Sequence, residues 1–227
     1  MTLIEKNNGL FNASSDLKKI SEHFIHAFPV MTRLEQKIAL ALYRLLLFGE
    51  PVLINTLSKE VNQTEASIDK VLQSWPGLNF DEDNKMVGFW GLTIHETNHH
   101  LKVNDKNIYT WCAWDTLFIP ELLNTTVQIT SHCALSGDKI SLTISPEGIE
   151  HAQPDSNKIM VSFLVPGEEE LKENIITSFC YYVFFFRSRK DGELWMADHP
   201  NTFLLTLNEA FAIGKKMNAA RYNLTLY

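Results

Sequence analysis

The apolar residues of this chain change their period once, and that change limits the fold more than any other feature. Up to about residue 90 they recur at helical intervals, and beyond Gly91 they alternate in short runs broken by turns. Residues 14 to 27 predict an opening helix. After Pro29, Leu34, Ile38, Leu42, Leu45 and Leu46 share one face up to Phe48, with Gly49 as a C-terminal cap before Pro51. A short helix around Thr56 to Val61 leads to another capped by Thr64, whose Ile68, Val71, Leu72 and Trp75 form a stripe that Pro76-Gly77 ends. A hairpin follows, Leu78 to Phe80 and Met86 to Phe89, around the acidic turn Asp81-Glu82-Asp83-Asn84. Three helices and a hairpin in this order predict a winged-helix-like N-terminal module over 1–90.

The second part, 91–227, reads as an α/β core of short strands and helices. Strand-like runs are Leu92 to His95, His100 to Val103, Thr126 to Ser131, Ile140 to Ser145, Ile159 to Val165 and Tyr181 to Phe186. Helices are expected to start near Trp111, to run from Glu168 to about Ile176, and to lie near Gly192 to His199 and Leu207 to Asn218. Gly137-Asp138 and Pro146-Glu147-Gly148 mark tight turns. The fold class is therefore α+β, with the helical module packed on a mixed, largely antiparallel sheet that has flanking helices. The aromatic run Tyr181 to Phe186 reads as a buried central strand.

Charge removes several functions. The chain has 20 basic against 27 acidic side chains, a formal charge of −7, which gives no basic field for nucleic acid or an anionic membrane. From Val30 to Trp90 six basic residues (Arg33, Lys37, Arg44, Lys59, Lys70, Lys85) face eight acidic ones (Glu35, Glu50, Glu60, Glu65, Asp69, Asp81, Glu82, Asp83), so the module lacks the surface of a DNA reader. The strongest apolar stretch, Ile38 to Phe48, contains Arg44 and is too short to span a bilayer. The first residues lack the layout of a secretory signal, so a cytoplasmic protein is expected. Three cysteines, Cys112, Cys133 and Cys180, are too few and too odd for a disulfide framework, and point to free thiols in a reducing compartment.

Two strings of potential ligands stand out. His95-Glu96-Thr97-Asn98-His99 matches the zinc-peptidase signature, but that chemistry needs a helix to bring the two imidazoles onto one face. The surrounding GLTIHETNHHLKV reads as strand, turn, strand, so solvated hairpin histidines are expected. In Trp111-Cys112-Ala113-Trp114-Asp115, a helix beginning near Trp111 would put Cys112 in its first turn, where the dipole favours thiolate, with Asp115 on the same face. A thiolate and a carboxylate raise each other's pKa and tend to hold one proton between them, which suits a proton donor beside a soft ligand. A single cysteine in such a turn is commonly just a small buried hydrophobe. Phosphate-binding loops and a nucleophile elbow are absent from the sequence.

The pattern Tyr-x-Trp-Cys-Ala-x-Asp-Thr-Leu-x-x-Pro-x-Leu from Tyr109 to Leu122 resembles the organomercurial (alkylmercury) lyases. So do Ser131-His132-Cys133, Leu142-Thr143-Ile144-Ser145-Pro146 and Ser178-Phe179-Cys180 before an aromatic run. The likeness extends to Leu42-Tyr43-Arg44, Gly49-Glu50-Pro51-Val52, Trp75-Pro76-Gly77, Val87-Gly88 and Asn208-Glu209-Ala210-Phe211. Two departures are visible: Tyr181 stands where many members carry another Cys, and the interval from Cys133 to Cys180 is a few residues longer.

The resemblance implies that Cys112 and Cys180 bind mercury, that Asp115 is the acid beside them, and that Cys133 is structural. It implies protonolysis of a carbon–mercury bond to a hydrocarbon and Hg(II) in mercury detoxification, with no cofactor beyond mercury as substrate. Cytosolic thiols would serve as exchange ligands, and a mercuric reductase is a possible recipient of the ion. A monomer or a homodimer fits equally. The rival readings are a winged-helix mercury-responsive regulator and a mercury-binding protein that breaks no bond.

Overall fold

The structure is a computed structural model that describes residues 13–27, 30–165 and 174–226. Four helices come first: α1 (Ala13–Ala27), α2 (Arg33–Leu46), α3 (Ile54–Val61) and α4 (Glu65–Gln73). Local chemistry sets their ends. Thr32 and Glu35 form a reciprocal capping box at the start of α2, and Gly49, at φ +75°, closes its far end by donating to the Leu46 carbonyl. Thr64 caps α4, its hydroxyl accepting from Ser67 N at 3.2 Å. The apolar face of α2 is sealed: Ile38, Leu42, Tyr43 and Leu46 are all buried.

The hairpin β1 (Leu78–Phe80) and β2 (Met86–Phe89) does not stand apart. It begins an eight-stranded antiparallel sheet continued by β3 (Leu92–Thr93), β4 (His100–Val103), β5 (Lys106–Thr110), β6 (Val127–His132), β7 (Lys139–Ile144) and β8 (Ile149–Gln153). Helix α5 (Asp115–Leu123) lies between β5 and β6 in sequence. A second, three-stranded antiparallel sheet places β9 (Met160–Phe163) between β10 (Phe185–Phe186) and β11 (Phe203–Thr206). Two more helices, α6 (Arg189–Met196) and α7 (Leu207–Arg221), complete the order, and α7 packs on both α1 and α5. Gly214 allows that approach, because a Cβ there would overlap the Cβ of Phe118. This is the expected α+β fold of antiparallel sheet and flanking helices. Among the described residues, no helix is long and apolar enough to cross a membrane.

Three expectations need correction. Strands β5, β8 and β11 were absent from the sequence reading; β5 and β8 carry charged or polar side chains at exposed positions, so their apolar alternation is weak. The run Tyr181 to Phe186 is not a central strand: it starts as a 3-10 turn over Cys180–Tyr182, with Tyr181 62% exposed, and ends in β10, an edge strand. An apolar run gives no sign of its own pairing partners, and here β9 takes the middle. The histidines of 95–99 do sit in a turn between β3 and β4, but only His95 is exposed. His99 is buried against Ser131, with its Nδ1 2.9 Å from the hydroxyl. Of the helix expected over 168–176, the first part lies outside the described residues, and 174–178 are helical.

Candidate active site

Strand β5 ends at Thr110, and the backbone then crosses the sheet end instead of entering a helix. Trp111 N–H donates to the Gly91 carbonyl at 2.8 Å, and Ala113 N–H to the Val183 carbonyl at 3.2 Å. Thr110 and Thr116 hydroxyls hold the carbonyls of Cys112 and Ala113 at 3.0 and 2.7 Å. The second bond in this series, Ala113 to Val183, pins the Cys112 loop directly onto the turn that carries Cys180.

Helix α5 starts at Asp115, not near Trp111, so Cys112 precedes it by a turn and is not held by its dipole. The first carboxyl of the helix folds back instead: Asp115 Oδ2 accepts the Cys112 N–H at 2.9 Å. One sulfur of Cys112, one of Cys180 and a carboxylate oxygen of Asp115 all lie within 4.8 Å of one another, and all three residues are buried. Thus the three site residues expected from the sequence converge. Cys133 does not join them; it is buried in the β6–β7 turn, where its N–H donates to the Asp138 carbonyl at 2.8 Å.

Burial governs the protons here. It pushes Asp115 up to about 7, outweighing the hydrogen bonds from the Cys112 side chain and backbone that favour the carboxylate. It also drives the Cys112 thiol well above its ordinary range, reinforced by its hydrogen bond to Cys180 and the nearby Asp115 charge. For Cys180, the bond from Cys112 stabilises the thiolate, yet burial and the Asp115 charge together still raise it. Burial thus favours the protonated thiol at Cys112, where the sequence reading expected the helix dipole to favour a thiolate. Burial and the Asp115 charge raise Cys112 further than Cys180, whose thiolate the Cys112 side chain favours, so Cys180 is the easier of the two to ionise.

A small cavity of about 20 Å³ reaches this cluster. Trp90, Trp111, Trp114, Phe118, Phe179 and Met217 give it apolar walls, Asp115 and Cys180 reach its surface, and Cys112 lies fully buried one layer behind. Arg221 lines the same cavity, its guanidinium 3.8 Å from the centre of the Trp90 ring. Two thiols and a carboxyl group in such walls suit a soft cation bearing an organic group: sulfur takes the metal and the aromatic rings take the carbon.

A family model described as alkylmercury lyase matches residues 92–218. An alkylmercury lyase of Pseudomonas putida is 36% identical over 173 residues, 76% of this chain and 79% of that protein. The chain belongs to the alkylmercury lyase family. A Bacillus cereus alkylmercury lyase is likewise 36% identical over 176 residues, 78% of each protein, and one of Staphylococcus epidermidis is 33% identical over 178. A crystal structure of the mercury-bound form of MerB2 shares the fold, with a TM-score of 0.71 at 22% identity, covering 91% of this chain and 99% of that one.

Several residues that shape this family member's site escaped the sequence reading. Gly91, noted only as a boundary, has φ +95°, and any Cβ there would collide with the Asp115 carboxyl. Trp90, Phe118, Met217 and Arg221 come from three separate places, the turn after β2, helix α5 and helix α7. Only the Trp90-Gly91 pair left a local signal, a glycine directly after an aromatic strand end.

Proposed function

We propose that Cys112, Cys180 and Asp115 carry out the carbon–mercury protonolysis of this alkylmercury lyase, with Cys180 engaging the metal first. Membership of the family makes the chain an organomercurial lyase, an enzyme of mercury detoxification. The observation that carries the residue assignment is the closure of two sulfurs and one carboxyl oxygen to within 4.8 Å of one another. The substrate is an organomercurial bound to a small thiol, R–Hg–SR′.

Cys180 lines the cavity and ionises more readily than Cys112, so its sulfur displaces R′S from mercury, and its proton leaves with that group as R′SH. Cys112 then adds from behind and gives its proton to the Asp115 carboxylate. The second thiolate raises the electron density on mercury and weakens the carbon bond. Asp115, now protonated, donates to the carbon as the mercury–carbon pair of electrons becomes the new C–H bond. Products are R–H, R′SH and Hg(II) on two thiolates, and Asp115 returns as carboxylate. A pKa of about 7 lets this group accept from a thiol and donate to carbon at neutral pH.

Residues 1–90 act as a winged-helix-like module that buttresses a catalytic core over 91–227, and its excess of acidic side chains speaks against reading DNA. Cytosolic thiols deliver the substrate and strip the ion, Cys133 is structural, and the protein works in the cytoplasm without an added cofactor. The test is gas chromatography of a phenylmercury reaction in excess thiol. One benzene per Hg(II) is expected; binding of mercury with no hydrocarbon would leave a sequestering protein, and metal-dependent DNA binding a regulator.

A further inference from the structure

We propose that Tyr43 is a positioning residue for the proton donor, acting through the Trp90-Gly91 turn; this rests on the assignment of Asp115 as that donor. The turn is strained. Trp90, a bulky residue, is held at φ +34°, and Gly91 follows at φ +95°. A side chain of this size in the left-handed region persists only where its surroundings over-determine it.

Those surroundings are on both sides. The Tyr43 hydroxyl donates to the Trp90 carbonyl at 2.9 Å, and Trp90 N–H donates to the Gly77 carbonyl at 3.0 Å. The indole stacks on Phe89 with centroids 4.5 Å apart, and Arg221 covers it. The Tyr43 bond comes from helix α2, well before the catalytic strands, and Tyr43 is only 1% exposed. It does not line the cavity and cannot touch substrate.

What the turn supports is the carboxyl group. The space that a Cβ of Gly91 would need is filled by Asp115 Oδ1 and Cγ, so the turn backbone forms the floor under the acid. The Gly91 carbonyl also anchors Trp111 N–H, one residue before Cys112. Relaxing the turn would move the floor and the start of the cysteine loop together. Loss of that hydroxyl would leave a buried carbonyl without this donor in a turn already off its preferred backbone, favouring relaxation.

Geometry of this kind acts on the proton-transfer step more than on metal capture, because sub-ångström placement of a donor matters more to a transition state than to a thiolate ligand. Tyr43→Phe in the full chain should lower kcat for benzene release from phenylmercury by about tenfold, with KM and the stoichiometry of Hg(II) binding unchanged. On an Asp115→Asn background the same change should have no further effect on the residual rate. Gly91→Ala, which crowds the carboxyl directly, should reduce kcat more than Tyr43→Phe while Hg(II) still binds. Wild-type kcat in Tyr43→Phe or Gly91→Ala beside a slow Asp115→Asn overturns the proposal alone. An equal tenfold loss on the Asp115→Asn background also overturns it, since Tyr43 would then act elsewhere. Wild-type turnover by Asp115→Asn overturns the donor assignment first, and this proposal with it.

Discussion

The His99 pocket and the thiol pocket each bury ionisable side chains, and they resolve the burial in opposite ways. His99 is paired with one hydroxyl, Ser131, and packed edge-on against Phe185; burial, with the His132 charge, lowers it to about 4, so it stays neutral. Asp115 is paired with two thiols that are themselves buried, and is left near 7. A neutral imidazole with a hydroxyl partner has nothing to exchange. An acid set beside two thiols has partners with which a proton can be exchanged once a metal takes the sulfurs. The difference lies in the partners more than in the depth of burial.

The sharpest way to break this contrast is to remove the sulfurs. Cys180→Ser and Cys112→Ser should each release no hydrocarbon above the uncatalysed background, because a hydroxyl oxygen is too hard a ligand for mercury. Cys112→Ser should still take up one equivalent of organomercurial on Cys180, measurable by mass spectrometry, whereas Cys180→Ser should capture it poorly. Turnover by either variant would dissolve that exchange.

Next in size is the acid. Asp115→Asn should bind Hg(II) with both thiols in place, while hydrocarbon release slows by about a hundredfold, the usual scale for a lost general acid. Headspace chromatography beside a mercury-binding titration separates the two effects.

The smallest effect is on folding, and it sets the two pockets directly against each other. Asp115, raised from 3.8 to about 7, contributes stability that is complete below pH 3.8 and lost as pH rises towards 7. His99, lowered from 6.5 to about 4, contributes stability that is present above 6.5 and lost as pH falls towards 4. Between pH 4 and 6.5 the two slopes oppose. Asp115→Asn should therefore leave a protein that loses stability on acidification, and His99→Asn one that loses it on going to neutral pH. Each swing is about 3 kcal/mol across that window in urea melts. Parallel curves for the two variants would mean that the pockets do not differ as described.

Much of this was legible in the residues because it is local. Thr64 as a cap, Gly49 as a stop and the strands Leu78–Phe80 and Met86–Phe89 needed no tertiary contact to be seen. The spacing of Cys112 and Asp115 was readable too, though the reason given for it was not the one the fold uses. The dipole of a helix starting at Trp111 is replaced by a carboxyl that folds back from the first residue of α5. What stayed hidden is non-local. His99 was expected in solvent because its partner Ser131 lies 32 residues away. Cys180 meets Cys112 through a turn that composition presents as a strand, so only family resemblance joined the two beforehand. The floor under Asp115 depends on a hydrogen bond from Tyr43 to Trp90, 47 residues apart.

That last bond limits how far the enzyme can be pared down. The stretch common to the family model opens at Leu92, just after the pair of residues on which the acid rests and long after the helix that secures them. An engineer who grafted that stretch alone into another scaffold would inherit both sulfurs and the carboxylate, yet not their alignment. The transplant should still scavenge mercury, as a sponge instead of a pair of shears.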